Sequence, residues 1–542
     1  MTDYSDYYRT KARYEGRTPQ NKPIPGSEQV KNNAGGYVFA ITPWERLRRF
    51  LVIGSLGGSY YVNERELTVD NAKAIEDLIA EDGERVVDEI VSISVAGRAP
   101  SNDPALYTLA MCAGLGDEKT RKYALEHLHL VARIGTHLFH FVKYAKAFRG
   151  LSGRAFRSAI SHWYNDKEPI RAAYQMLKYQ SRDGWSHRDV LRMVHPRPKN
   201  EEVNILFDWA INGWHWEAPP PLYPAAGKTM SQIAAVEFLK RYPTPYGAVR
   251  AILDHRLTRE MIPSELLKSK EVWDALLRQM PMGAMVRNLG NMSKCGLLES
   301  MSEAEQIVNL RLHDEERIRN SRLHPLSLLV AQKTYESGGG YRGSGSWNAS
   351  ARVVDALNDA FYLAFGNVEP TNKRIMIALD VSGSMRAEFG KSILTCCEAA
   401  TALSLVTANV EGSYLITRFH TGIQPIPISP RQRLTDVMRY TDRINYGGTD
   451  CSLPMTWAMA ERKMFDAFIV ITDSETRAGR IHPVQALRQY RQWSNIYAKL
   501  IVVGMTSSGF SIADPDDGGM LDVVGFDTAT PNLISEFIRM NG

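Results

Sequence analysis

The sequence predicts two unlike halves, an array of amphipathic α-helices up to residue 370 and a doubly wound parallel α/β domain from residue 371 onward. Three observations carry this. Helical patterns follow one another with short polar breaks in the first half. In the second half, short apolar runs of strand length alternate with helices, the signature of a parallel sheet covered on both faces. The first of those strands ends in Asp380-Val381-Ser382-Gly383-Ser384, at the strand end where such sheets bind ligands.

Pro43 to Val52 opens the array, with Thr42 as N-cap and Pro43 in the first helical position, where its missing N–H costs nothing. Residues 71–79, 83–96, 103–113 and 118–134 read as further helices. Successive antiparallel helix pairs of this kind point to an α-solenoid of the armadillo or HEAT type. The Gly/Ser stretch 337–346 precedes one more helix, Ala351 to Phe365. Beyond it, strands are expected at 374–379, 413–417, 467–472 and 499–503. Helices are expected around 388–408, 452–462 and 483–492 and from near Pro531.

Asp380, Ser382 and Ser384 stand at alternate positions, so that a carboxylate and two hydroxyls can converge on one hard cation. Mg²⁺ prefers oxygen ligands and keeps several waters. Two further oxygen donors are expected downstream. Thr449, within Tyr446-Gly447-Gly448-Thr449-Asp450, and Asp473, at the end of the apolar run 467–472, supply them. The five positions in this order resemble the metal-ion-dependent adhesion site of von Willebrand factor A domains. Neutral hydroxyl donors leave the cation electrophilic enough to accept an outside carboxylate or phosphate oxygen, which suits binding. Asp380 and Asp473 as a catalytic carboxylate pair lack a companion general base.

At 542 residues the chain calls for several domains, and 44% hydrophobic with 23% charged residues is ordinary globular composition. The polar N terminus carries no apolar signal segment, and no apolar run reaches membrane-spanning length. The five cysteines are odd in number and scattered, which fits a reducing cytoplasm. Net charge is only +5, but residues 143–200 hold thirteen Lys and Arg against four acids. Lys143, Lys146, Arg149, Arg154, Arg157, Lys167, Lys178, Arg182, Arg188 and Arg192 are the candidate contacts there. With Trp163, Tyr164, Tyr174, Tyr179 and Trp185 interleaved, the segment points to RNA, because cations neutralise phosphates and aromatic faces stack on unpaired bases.

Local motifs narrow the field. Arg46 to Tyr61 (RLRRFLVIGSLGGSYY), Ala159 to Asn165 (AISHWYN) and Asp183 to Arg192 (DGWSHRDVLR) resemble blocks of the Ro autoantigen, or TROVE-domain, family. So do Val368 to Arg374, Gly447 to Asp450 and Thr472 to Thr476. The resemblance runs from about residue 30 to the end. It divides the chain into an unmatched arm (1–30), a HEAT-like helical domain (31–370) and a von Willebrand factor A domain (371–542). It implies a ring of helical repeats closed by the A domain, with a central hole. It further implies a non-enzymatic protein that binds small Y RNAs on its basic outer face and 3′ ends of misfolded RNAs in the hole. Such a protein acts in RNA quality control, as a monomer, in some cases with a 3′ exoribonuclease. The Gly-Trp-Ser-His block adds His187 to the candidate RNA contacts.

Three signals are set aside. His127, His129, His137 and His140 lack the companion ligands of a zinc site. Gly390-Lys391-Ser392 lacks the P-loop's first glycine, Met385 standing in its place. Tyr60-Tyr61 reads as core packing. The competing functional class is a metal-dependent protein-interaction scaffold, which has no use for so concentrated a basic segment.

Overall fold

The computed structural model describes residues 16–54, 64–99, 101–149, 153–215, 227–321, 323–339, 345–365, 369–387, 394–429, 432, 436–437, 448–524 and 530–540. The Tyr60-Tyr61 pair and Gly390-Lys391-Ser392 lie outside them.

The described part of the unmatched N-terminal arm is packed against the rest of the chain. From residue 16 it lies along the α/β domain, and β1 (Gln29–Lys31) and β2 (Tyr37–Ala40) form an antiparallel pair. Gln20 is fully buried, its Nε2 donating to Asp450 Oδ1 at 2.8 Å and to the Ile481 carbonyl at 2.9 Å. Polar side chains with such specific partners cannot be told from solvated ones by composition.

The helix Pro43–Ile53 begins as expected, with Thr42 and Glu45 closing a capping box. The next two expected helices are both present within Glu64–Ala96, separated by a kink at Asp82, whose φ of −152° is non-helical. Helices Asp103–Leu115 and Gly135–Arg149 pack on each other and on their neighbours. The stretch expected as one helix over 118–134 breaks at His127 into Glu118–Glu126 and Leu128–Val131. After Arg154–Asn165 and Pro169–Lys178, a short hairpin of β3 (Ser181–Arg182) and β4 (Trp185–Ser186) leads into His187–Val194. The array then runs through helices at 201–212, 227–241, 245–255, 270–279, 282–294, 303–312, 315–321, 325–336 and 351–363. It returns to its own start: the His324 ring lies 3.0 Å through Nε2 from the Arg98 carbonyl oxygen. The helical half is therefore a ring of HEAT-like repeats.

The C-terminal half closes it. A six-stranded sheet is built from β5 (Ile375–Asp380), β6 (Tyr414–Phe419), β7 (Ile423–Pro425), β8 (Ala467–Thr472), β9 (Lys499–Gly504) and β11 (Met520–Val524). The short β10 (Phe510–Ser511) pairs instead with β2. The order is β11-β9-β8-β5-β6-β7, all neighbours parallel except β6 and β7. Alternation along β5 splits its side chains between two cores. Ile375, Ile377 and Leu379 join the apolar core that runs on into the helical ring, while Met376 and Ala378 pack with Phe468, Val470 and Tyr490 on the other face. The helix expected from about residue 388 starts later, at Cys396, behind a Thr395–Glu398 capping box. β7 and β10 escaped sequence reading because they are short, and β11 because Asp522 interrupts its apolar run. Polar ties join ring and α/β domain at both ends of the array: Arg49 to Asp522, Asn71 Nδ2 to Ser507 Oγ at 3.1 Å, and Lys333 to Glu398.

Candidate functional site

Chain order reverses between β5 and β8: the connection from β5 goes to β6 on one side, and the next crossover carries the chain to β8 on the other. This topological switch opens a crevice at the carboxyl ends of the two strands. Asp380 ends β5 and Asp473 follows β8, so both carboxylates reach the crevice, and Ser382, Ser384 and Thr449 are buried like them. The backbone N–H of Ser382 donates to Asp380 Oδ1 at 2.9 Å, the Thr472 hydroxyl to Oδ2 at 2.6 Å, and the Ser382 and Ser384 hydroxyls lie 3.1 Å apart. The backbone N–H of Glu475 donates to Asp473 Oδ1 at 3.1 Å. The loop bearing Thr449 is held by its own carbonyl, which accepts from the N–H groups of Arg477 and Ala478, each at 2.9 Å.

The donor set fits a hard divalent cation. Burial, then the charge of Asp380, pushes the Asp473 carboxyl up to about 7, and burial raises Asp380 as well. Two buried carboxylates that resist ionisation beside one another are what an added positive charge relieves. Next to them Ser474 is buried in the left-handed region (φ 62°), with an Oγ that has no hydrogen-bond partner among the described residues. Sequence reading missed Thr472 and Ser474, which look like ordinary strand-end residues. It also missed the clasp over this loop: Asn32 Nδ2 donates to the carbonyls of Ser474 (3.1 Å) and Thr476 (2.8 Å), and Asn33 Nδ2 donates to Glu475 Oε1 at 2.7 Å.

The basic segment is partly a surface and partly core. Lys143, Lys146, Arg154, Arg157, Arg182, Arg188 and Arg192 are exposed; the side chain of Arg149 lies outside the described residues. Lys146 sits 5.3 Å from the Trp185 ring and Lys143 3.5 Å from Asp183, so the helix 135–149 and the hairpin of β3 and β4 share a face. Arg188 and Arg192 follow one turn apart on 187–194, which packs against the helix carrying Arg154 and Arg157. Lys178 is half-buried, donating to the Tyr174 hydroxyl at 3.0 Å.

Two candidates need correction. Lys167 is drawn inward: Nζ donates to the Trp163 carbonyl at 2.6 Å and stands 3.5 Å from that residue's ring, and burial lowers it to about 8. His187 is only 4% exposed, its Nδ1 lies 2.7 Å from the Tyr164 hydroxyl, and its ring packs on Phe139 and Trp163. It is a packing histidine. The capping box of Ser186 and Asp189 sets the helix phase, and that phase turns position 187 into the core. Of the other histidines, His140 pairs with Asp183 through Nδ1 at 2.6 Å, and burial holds His137 down at about 4. Among the described residues no cluster of three His, Cys, Asp or Glu could hold a metal ion.

A helical-repeat ring closed by a von Willebrand factor A-type domain, with hydroxyls and carboxylates at its switch point, defines a recognisable class of protein. Residues 30–216 and 227–337 match the TROVE domain, and residues 374–538 match the Ro60 vWA domain. The chain belongs to the Ro60 family. It is 36% identical to "RNA-binding protein RO60" of Caenorhabditis elegans, an alignment covering 96% of this chain and 92% of that one. It is 38% identical to the protein of the same name from Deinococcus radiodurans, over 96% and 98% of the two chains. The crystal structure of the Deinococcus radiodurans Ro (RSR) protein superposes with a TM-score of 0.70 at 38% identity, covering 92% of this chain and 99% of that one.

Proposed function

We propose that this protein binds RNA and works as a noncoding-RNA chaperone rather than an enzyme. The observation that carries this reading is the exposed cationic face of the helical ring, Lys143, Lys146, Arg154, Arg157, Arg182, Arg188 and Arg192, in a chain whose relatives are named RNA-binding proteins. On this reading a small Y-type RNA lies on that outer face, its phosphates neutralised by Lys and Arg. Single-stranded 3′ ends of misfolded RNAs enter the hole of the ring, and the protein serves RNA quality control in the cytoplasm, as a monomer, with a 3′ exoribonuclease as its protein partner. Asp380, Ser382, Ser384, Thr449 and Asp473 would hold Mg²⁺. The ion would supply an open coordination position for an oxygen ligand of a partner. A scaffold binding only proteins leaves the basic face without purpose.

The experiment is purification from the native cell followed by phenol extraction. A discrete co-purifying small RNA is expected. A free 3′ single-stranded tail should also raise affinity over a blunt duplex of equal charge. A protein that comes out free of RNA and treats both ligands alike would refute the reading.

A further inference from the structure

Thr449 and Asp473 come to the crevice on two separate stretches of chain, 448–452 and 473–481, and the N-terminal segment is hydrogen-bonded to both. Gln20 makes the junction and is fully buried. Its Nε2 donates to Asp450 Oδ1, beside Thr449, at 2.8 Å and to the Ile481 carbonyl at 2.9 Å. Its Oε1 accepts from the Thr476 hydroxyl and from the Gly479 N–H at 3.2 Å. An amide has two donor hydrogens and two acceptor sites, and here all four are used, one on the first stretch and three on the second. The Thr476 hydroxyl in turn accepts from the Cys451 N–H at 3.1 Å, so the same junction reaches the first stretch twice.

Asn32 adds a second tie nearer Asp473. Its Oδ1 accepts from the Gly36 N–H at 2.7 Å, which folds 32–36 into a tight loop, and its Nδ2 donates to the Ser474 and Thr476 carbonyls. The approach is close enough to require glycine on both sides. A Cβ at position 36 would strike the Thr476 carbonyl, and one at position 479 would strike the Gln20 amide and the Asp450 carboxylate. A cation site built largely of neutral hydroxyls depends on having its oxygens in place before the ion arrives, and the groups that orient the donors then govern affinity.

We propose that Gln20 and Asn32 are positioning residues of the metal site: the N-terminal segment fixes the spacing of the Thr449 and Asp473 stretches and thereby sets the affinity for a divalent cation. Neither side chain is one of the five donors. The proposal rests on the Mg²⁺ reading of the crevice. Linkage makes the relation reciprocal, so that bound Mg²⁺ must also hold the N-terminal segment more firmly.

The test titrates the full chain with Mg²⁺ by calorimetry in the wild type, Gln20→Met, Asn32→Ala and Arg49→Met, where circular dichroism shows each to be folded. Gln20→Met keeps the length of the side chain and removes its four hydrogen bonds. Asn32→Ala leaves Gln20 in place, so the test survives if the first variant fails to fold. Arg49→Met loosens the same end of the chain, but Arg49 bonds to Ser508, Phe510 and Asp522 and to neither metal-bearing stretch. Mg²⁺ binding at least about tenfold weaker is expected in Gln20→Met and Asn32→Ala, with no change in Arg49→Met. A merely structural role lowers the melting temperature and leaves the affinity of the folded protein unaltered, which overturns the proposal, as does an equal loss in Arg49→Met. Hydrogen exchange of the wild type needs no variant. The Gly36 and Gly479 N–H groups, bonded to Asn32 and Gln20, should exchange more slowly once Mg²⁺ is added, and unchanged exchange overturns the proposal. A wild type that does not bind Mg²⁺ removes the metal reading and this proposal with it; wild-type binding that the variants leave intact removes this proposal alone.

Discussion

Arg49, in the first helix of the ring, and Asp522, on the edge strand β11, form a buried ion pair that spans 473 positions of sequence. Arg49 is 1% exposed, its Nε donates to Asp522 Oδ2 at 3.2 Å and its Nη2 to both carboxylate oxygens. Its Nη1 donates to the carbonyls of Ser508 and Phe510 at 3.3 and 3.2 Å. Ser511 Oγ donates to Asp522 Oδ1 at 2.5 Å. The pair fastens the start of the ring to the domain that closes it.

Arg49→Met should therefore cost about 3–5 kcal/mol, since it strands a buried carboxylate. Burial already raises the Asp522 carboxyl, and loss of Arg49 removes a group that lowers it. A carboxyl raised in the folded state binds its proton more tightly there than in the unfolded chain. The variant's stability is then greatest below the ordinary Asp range and falls as pH rises through the folded value. Urea unfolding of the wild type, Arg49→Met and Arg49→Met/Asp522→Leu checks this. The double variant should recover much of the loss.

Mg²⁺ affinity should rise as pH increases through about 7, because protons compete for Asp473 below that value. Without metal the sign for stability is opposite: a carboxyl raised from 3.8 to about 7 favours folding at low pH and loses that contribution as pH climbs across the interval. Calorimetry at several pH values measures the first effect and thermal unfolding with and without Mg²⁺ the second. Asp380→Ala and Asp473→Ala should abolish the Mg²⁺ response while RNA affinity survives. Joint loss of both would show that the two sites are coupled.

Charge reversal of Lys146, Arg182, Arg188 and Arg192 to Glu should leave the fold intact, all four being exposed. Affinity for a structured small RNA should collapse, and the log–log salt dependence should become shallower by roughly one unit for each phosphate no longer neutralised. Filter binding across a salt series reads both. Lys167→Glu is expected to act differently, through stability, because its ammonium lies on the Trp163 ring and carbonyl.

His187 is held neutral by burial, with its protonation pushed down from 6.5 to about 4. A histidine lowered in the folded state contributes stability above its unfolded value and loses it as pH falls through the folded one. Acid should thus destabilise the ring between about 6.5 and 4, by up to about 3 kcal/mol from this group. His187→Asn should remove much of that pH dependence, read by unfolding at pH 7 and pH 4.5, and should lower stability at neutral pH by opening space against Phe139 and Trp163.

The sequence by itself determined the class of each half, the order of the main elements and the two strand ends that carry Asp380 and Asp473. These are local signals: an apolar run of strand length, a capping residue, a carboxylate two positions from a hydroxyl. A parallel sheet then carries strand ends to one edge whatever lies between them, so Asp380 and Asp473 meet although they stand far apart in the linear sequence. Tertiary structure alone decided which polar residues turn inward. His187 and Arg188 are neighbours in a basic, aromatic stretch, yet the phase of one capped helix buries the first and exposes the second. Gln20 and Arg49 look solvated by composition, and each is buried because groups more than four hundred residues away satisfy its hydrogen bonds. Burial of a polar side chain depends on partners that only the folded chain brings within reach, and composition and periodicity carry no record of them.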